Sequence, residues 1–251
     1  MITLLLLDKD VNINKRLRFF RFFSANLYIW SMYYFWSILV LGVVGFFIGK
    51  FIKHKSLYPF MQFRYDFRKR RDTFRSTLDL LKKTGAKTIV ETGTSREGLL
   101  GAKSNGAATI VFGKWAKNHN GFLHSVDISK QSVAAAQREV EAQELGDFVK
   151  IYLSDSIKFL RSFEEKVDFL YLDSYDYSND IEVQIKSQTH HLKEFKAIEQ
   201  QLHEKSIVLI DDCDLPNGGK GKLVVKYMLD TGWKILRNEY QILLVRKNLT
   251  V

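Results

Sequence analysis

Carboxylates recur at one kind of place in this sequence. TIVETGTSREG carries Glu91, HSVDIS at 124–129 carries Asp127, and Asp155 with Ser156 follows Leu153. VDFLYLDSYDY at 167–177 carries Asp173 and Asp176, and SIVLIDDCD at 206–214 carries Asp211 and Asp212. Each acid stands at or just past the end of a short run rich in Val, Ile, Phe and Tyr, the pattern of a buried strand. One acid in such a place caps a helix or turns a loop. Five at corresponding positions point to one crevice, because ligands in open α/β sheets bind beyond the carboxyl ends of the strands. Like charges gathered there are tolerated where a cation, a cationic ligand or hydroxyl-rich groups compensate them.

The elements that must carry these residues alternate. Helical periodicity at 72–84 leads into a strand at 87–92, and an Ala- and Gly-rich helical stretch at 98–117 into a strand at 121–128. A helix at 130–144, a strand at 148–153, a short helix at 156–163 and a strand at 167–172 follow. A long helix at 180–203 precedes a fifth strand at 206–210, and a helix near 219–230 precedes two strands at about 233–238 and 240–246. Alternation of this kind predicts βαβ units and a parallel sheet with helices on both faces. The last two strands are too close in sequence for a crossover helix, so they should pair antiparallel.

Ahead of this lies a different kind of chain. The 26 residues 24–49 carry no charge, and as a helix they would span roughly 39 Å against a hydrocarbon core of about 30 Å. Tyr28, Trp30, Tyr33, Tyr34 and Trp36 gather in its first half, where amphipathic rings suit a membrane interface. The apolar stretch is longer, and starts later, than that of a cleaved signal peptide. Residues 1–71 hold thirteen Lys and Arg against three acids, and so carry the whole net charge of +10, leaving 25 of each sign in the remainder. Charge placed around an apolar segment reads as membrane flanking, and no nucleic-acid partner is expected. The expected organisation is a basic segment 1–23, a transmembrane helix 24–49, a basic juxtamembrane linker 50–71 and a soluble domain 72–251. Five basic residues precede the helix and eight follow it, which places the C-terminal domain in the cytoplasm. Cys213 is the single cysteine, so no internal disulfide forms, and no partner motif makes it a nucleophile.

The stretch TIVETGTSREG resembles the first motif of the class I, Rossmann-like S-adenosylmethionine-dependent methyltransferases, and the resemblance covers roughly residues 75–246. HSVDIS, VDFLYLDSYDY and SIVLIDDCD narrow it to the metal-dependent O-methyltransferases of the catechol and macrocin type and the related cephalosporin-hydroxylase-like group. The resemblance implies a seven-stranded sheet. It implies Gly93 at the methionine part of the cofactor with Glu91, Thr94 and Ser95 lining that loop, Asp127 with Ile128 at the ribose, and Asp155 with Ser156 beside the adenine. It also implies a divalent cation, Mg²⁺, Mn²⁺ or Ca²⁺, at Asp173, Asp211 and Asp212, a set of hard oxygen donors suited to such ions. The first motif departs from the family pattern in having one glycine in register, with Ser95 where a second is common.

The reaction these readings favour is methyl transfer from S-adenosylmethionine to a hydroxyl of a small-molecule or glycan acceptor. Asp173, Asp176, His190 and His191 are the candidates for proton transfer or acceptor contact, since histidines near neutrality accept and release protons readily. His124, inside the second strand, reads as a core residue. An NAD(P)-dependent oxidoreductase or epimerase would share the sheet and the acid after strand two, but its glycine-rich GxGxxG loop is absent. A third reading is a non-catalytic, membrane-tethered scaffold with the same fold.

Overall fold

The computed structural model describes residues 30–49 and 65–250. The segment 1–23, the start of the apolar stretch and most of the linker lie outside the described residues. The chain divides into two units, Met1–Leu57 and Tyr58–Val251. Within the first, helix α1 (Trp30–Gly49) has 20 residues, a mean hydropathy of 1.9 and no buried position. At about 1.5 Å per residue it is long enough to cross a hydrocarbon core, and it is apolar enough to do so.

The second unit is built on a seven-stranded sheet. Its strands are β1 (Thr88–Thr92), β2 (Phe122–Asp127), β3 (Val149–Leu153), β4 (Val167–Leu172), β5 (Leu202–Ile210), β6 (Trp233–Asn238) and β7 (Ile242–Arg246). Their order is β3-β2-β1-β4-β5-β7-β6, with β7 antiparallel to both of its neighbours and every other pair parallel. The helices are α2 (Arg71–Thr84), α3 (Ala102–Asn105), α4 (Ala108–His119), α5 (Lys130–Ala142), α6 (Ser156–Arg161), α7 (Ile181–Ile198) and α8 (Lys222–Asp230). The sheet order reverses direction between β1 and β4, which is where a doubly wound sheet opens a crevice.

Side chains alternate across a strand, so β4 feeds two cores. Phe169 and Tyr171 pack with Phe74 and Phe112 of α2 and α4 on one face. Leu170 and Leu172 pack with Phe195, Met228 and Trp233 on the other. Phe112 meets Phe169 at 4.8 Å between ring centroids and Phe74 at 5.3 Å, edge-to-face arrangements that aromatic quadrupoles favour.

Three expectations are corrected here. The stretch 98–117 is not one helix. Gly106 and Ala107 are both left-handed, at φ +78° and +50°, and they separate α3 from α4. The helix expected to run to 203 ends at Ile198, with a 3₁₀ turn at Glu199–Gln201, because β5 starts at Leu202. The domain also begins before residue 72: Phe67 is fully buried in the core, and Arg70 and Arg71 are buried as well. Part of the basic stretch read as membrane flank is therefore inside the folded domain.

Candidate functional site

The ends of β1, β2 and β4 and the start of α6 surround a cavity of about 720 Å³. Gly93 turns the chain out of β1 at φ +82°, and its amide donates to the Val126 carbonyl at 2.9 Å. A Cβ at this position would lie 2.4 Å from the backbone oxygen of Asp173, so only glycine lets the two loops approach. Asp127, at the end of β2, is held by two backbone amides, from Thr94 at 3.2 Å and Ser129 at 2.7 Å. These bonds fix the carboxylate at the cavity wall beside Ile128, which is 73% exposed. Asp155 caps α6 by accepting from the Lys158 amide at 2.8 Å, and Asp155 and Ser156 also line the cavity.

Glu91, Thr94 and Ser95 are placed differently from one another. Glu91 is fully buried beneath the loop and accepts from the Thr109 hydroxyl at 2.8 Å. Thr109 accepts from the Ser95 amide at 2.8 Å, so the acid braces the loop through α4 and does not line the cavity. Burial pushes its carboxyl up to about 8. Ser95 lies in the same buried network, while Thr94 reaches the wall of a second cavity.

The two histidines of α7 part company. His190 lines the first cavity, with its Nε2 3.1 Å from the Ser156 hydroxyl and 3.3 Å from Glu194. Burial works against its charge, but the hydrogen bond and negative charge of Glu194 outweigh that and raise its pKa. His191 is a correction. It is fully buried, its Nδ1 bonds the Ser187 carbonyl at 2.8 Å, and burial pushes it down to about 4. It faces the core, so it is not a candidate base. His124 is a core histidine, as expected, bonded to the Tyr152 hydroxyl at 3.0 Å. Cys213 is buried, with its thiol pushed up by burial and by Asp211.

The second cavity, of about 140 Å³, shares Gly93, Arg96, Asp173 and Asp176 with the first. Its far wall carries Asp212, Arg70, Lys220 and Tyr240. Asp173, Asp211 and Asp212 do converge, with one oxygen of each within 4.8 Å of the others. Two residues not singled out in the sequence meet them. The Lys220 ammonium lies 2.8 Å from Asp173 Oδ1 and 3.1 Å from Asp212 Oδ2. The Arg70 guanidinium lies 2.7 Å from Asp211 Oδ2 and 3.2 Å from Asp212 Oδ1, and also donates to the Ser104 carbonyl at 3.0 Å. Tyr240 donates to Asp212. Burial alone would lower the Lys220 pKa, but Asp173, Asp212 and Asp211 hold it well above the ordinary lysine value. Burial, then Asp211, work against the Asp173 carboxylate, and the Lys220 ammonium beside it favours it. Asp176 is exposed and pairs with Arg96 at 2.5 Å across the mouth.

The donor set has the right chemistry for a hard cation, but its oxygens are already matched. Asp211 takes both Nε and Nη2 of Arg70, and the space between Asp173 and Asp212 holds an ammonium that is 3% exposed. A divalent ion bound by all three carboxylates would have to displace Lys220. The residues as arranged do not fit one.

A seven-stranded sheet with a terminal antiparallel hairpin, a glycine turn after β1 and a carboxylate ending β2 beside one crevice make up a methyltransferase-like fold. Residues 101–213 match the family described as "Methyltransferase domain". The fold is similar to SAH-bound Podospora anserina methyltransferase PaMTH1, at 13% identity over 80% of this chain and 87% of that one, with a TM-score of 0.53. It is also similar to the O-methyltransferase TomG of Streptomyces achromogenes, involved in tomaymycin synthesis and in complex with SAM, at 12% identity over 71% and 81% of the two chains, with a TM-score of 0.51. At such identities the likeness is one of fold. No curated protein matches the sequence.

Proposed function

We propose that this chain is a membrane-anchored O-methyltransferase that moves the methyl group of S-adenosylmethionine to a hydroxyl of a small-molecule or glycan acceptor, with its domain in the cytoplasm. The observation that carries this reading is the pair of cavities with a common wall. The larger is lined by Asp127 and Gly93, which in this reading accept from both ribose hydroxyls and clear the way for the methionine part. The smaller is walled almost entirely by charged and hydroxyl-bearing groups, which suits a polar acceptor. Transfer is an in-line displacement: the acceptor oxygen bonds the methyl carbon, the carbon–sulfur bond breaks, and the sulfonium becomes a neutral thioether. Holding the two reactants in adjoining cavities, with the acceptor oxygen against the methyl carbon where they meet, supplies much of the acceleration. Asp176 lines both cavities, and in this reading it takes the proton the hydroxyl loses. Assistance by a divalent cation at Asp173, Asp211 and Asp212 forms no part of this reading, because Arg70 and Lys220 already pair with them. Anchoring rests on α1 and on the basic residues around it.

The test is calorimetric titration of the full chain in detergent with S-adenosylhomocysteine, alongside Asp127→Ala. Binding in the micromolar range, lost in the variant, supports the cofactor site. A folded chain that binds none sinks the enzymatic reading and leaves the tethered scaffold.

A further inference from the structure

Arg70 and Lys220 are 6% and 3% exposed, and Asp211 is fully buried. Charges are found this deep only when paired, since removing each from water costs several kcal/mol. The chain is shaped locally to hold them. Gly219, at φ +53°, precedes Lys220, and a Cβ there would sit 1.9 Å from the Asp212 carbonyl oxygen, which accepts from the Lys220 amide at 3.1 Å. This glycine is what allows the lysine to fold back over β5. On the other side, a Cβ at Gly106 would lie 2.7 Å from Arg70 Cδ, so the break between α3 and α4 makes room for the guanidinium stem.

The arrangement is more than an internal ion-pair network, because one side of it is open. Lys220 lines the smaller cavity, the one that shares a wall with the cofactor crevice. An ammonium has three hydrogens. Among the described residues two are taken by Asp173 and Asp212, so the third is the one that serves a ligand in that cavity. Arg70 has no comparable freedom, being shared among Asp211, Asp212 and Ser104.

We infer that Lys220, fixed by Asp173 and Asp212 with Arg70 behind them, is a built-in substitute for a divalent cation: its free N–H holds the acceptor oxygen, and the transfer runs without metal. The inference rests on the methyltransferase reading above. The lysine stays protonated throughout. The hydroxyl proton goes to Asp176, the acceptor oxygen bonds the methyl carbon, and the electron pair of the broken carbon–sulfur bond remains on sulfur. A fixed positive charge beside an oxygen that becomes more negative on the way to the transition state lowers the barrier without reorganisation.

The inference is tested on the full chain in detergent by electron paramagnetic resonance titration with Mn²⁺ alone. The wild type is expected to bind no Mn²⁺ tighter than about 1 mM, the weak end of carboxylate sites. Lys220→Ala, which leaves the carboxylates without their ammonium, is expected to gain affinity by at least about tenfold. One equivalent bound in the micromolar range by the wild type and lost in Asp173→Asn would overturn it. If Lys220→Ala does not fold, the wild-type titration still decides. In an acceptor panel of catechols and hydroxylated sugars with tritiated methyl donor, EDTA should leave the rate unchanged. Lys220→Gln should lower kcat by about 100-fold, as loss of a fixed donor to a developing oxyanion does, with S-adenosylhomocysteine affinity retained. EDTA-sensitive turnover restored by Mg²⁺ would sink the idea while leaving the methyltransferase reading intact. Failure to bind S-adenosylhomocysteine would sink that reading instead.

Discussion

Two acidic regions meet at the Gly93–Asp173 contact, and they are built on opposite plans. In the crevice beyond β2 and β3, Asp127 and Asp155 are held by backbone amides, and among the described residues no cation is bonded to either. Their remaining lone pairs are left for a ligand. Across the wall, Asp173, Asp211 and Asp212 are tied to two buried cations and a phenol. The difference separates two tasks that both use carboxylates. An amide-anchored carboxylate recognises hydroxyls, whereas one saturated by side-chain cations positions those cations. Acidity alone does not say which task an aspartate performs; its nearest donors do.

The largest effect should come from breaking the cation side. Asp211→Ala leaves the Arg70 charge buried without its closest partner, a loss of about 3–5 kcal/mol. In a domain of this size that is a fall in Tm of roughly 10 °C by calorimetry. A change below about 2 °C would mean that Arg70 relaxes into water and the cluster is not the rigid device described. Asp127→Ala, on the amide-anchored side, should act on binding instead. Hydrogen bonds to a charged group contribute about 1.5–3 kcal/mol, so affinity for S-adenosylhomocysteine should drop by about 50-fold with Tm nearly unchanged. Equal losses of stability in the two variants would erase the contrast between the regions.

Glu91 gives a sharper test through pH. Its carboxyl sits at about 8 in the folded chain against an ordinary 4.5. The folded state therefore holds the proton more tightly, and stability is highest at low pH and declines as pH rises through that window. Glu91→Gln should flatten the decline in melting temperature between about pH 5 and pH 9. An unchanged slope would place the ionised acid against a donor not seen here. The smallest effect belongs to His190, whose raised pKa means that its pairing with Glu194 stabilises the fold below about 6.5 and is lost as pH climbs through the folded value. His190→Gln should remove this contribution, on the order of 1 kcal/mol or less, from the difference in Tm between about pH 6 and pH 8.

Much of the frame was legible before any coordinates. The strands at 167–172 and 233–238 fall where the pattern put them, and the closing pair is antiparallel, because two-residue alternation and short connections are local properties. All five acids stand at or just past strand ends, and Asp127 and Asp155 line the crevice. RKRR near an apolar helix looks like a membrane flank, and nothing local shows that Arg70 pairs with Asp211, 141 residues away. Lys220 stands inside GGKGK, a glycine-rich stretch with no local sign of an ion pair, although three clustered aspartates imply that some cation compensates them. His190 and His191 could not be told apart, since neighbours on a helix point about 100° apart and only packing decides which is buried.

The sequence by itself determined the order of elements, the apolar span and the row of acids after the strands, since periodicity, length and turn chemistry act over a few residues. Only the tertiary structure decided what those acids are for. Whether a carboxylate meets an amide, a lysine or an arginine depends on chains brought together across the sheet, and the interaction between charges depends on a distance that no spacing in the sequence specifies.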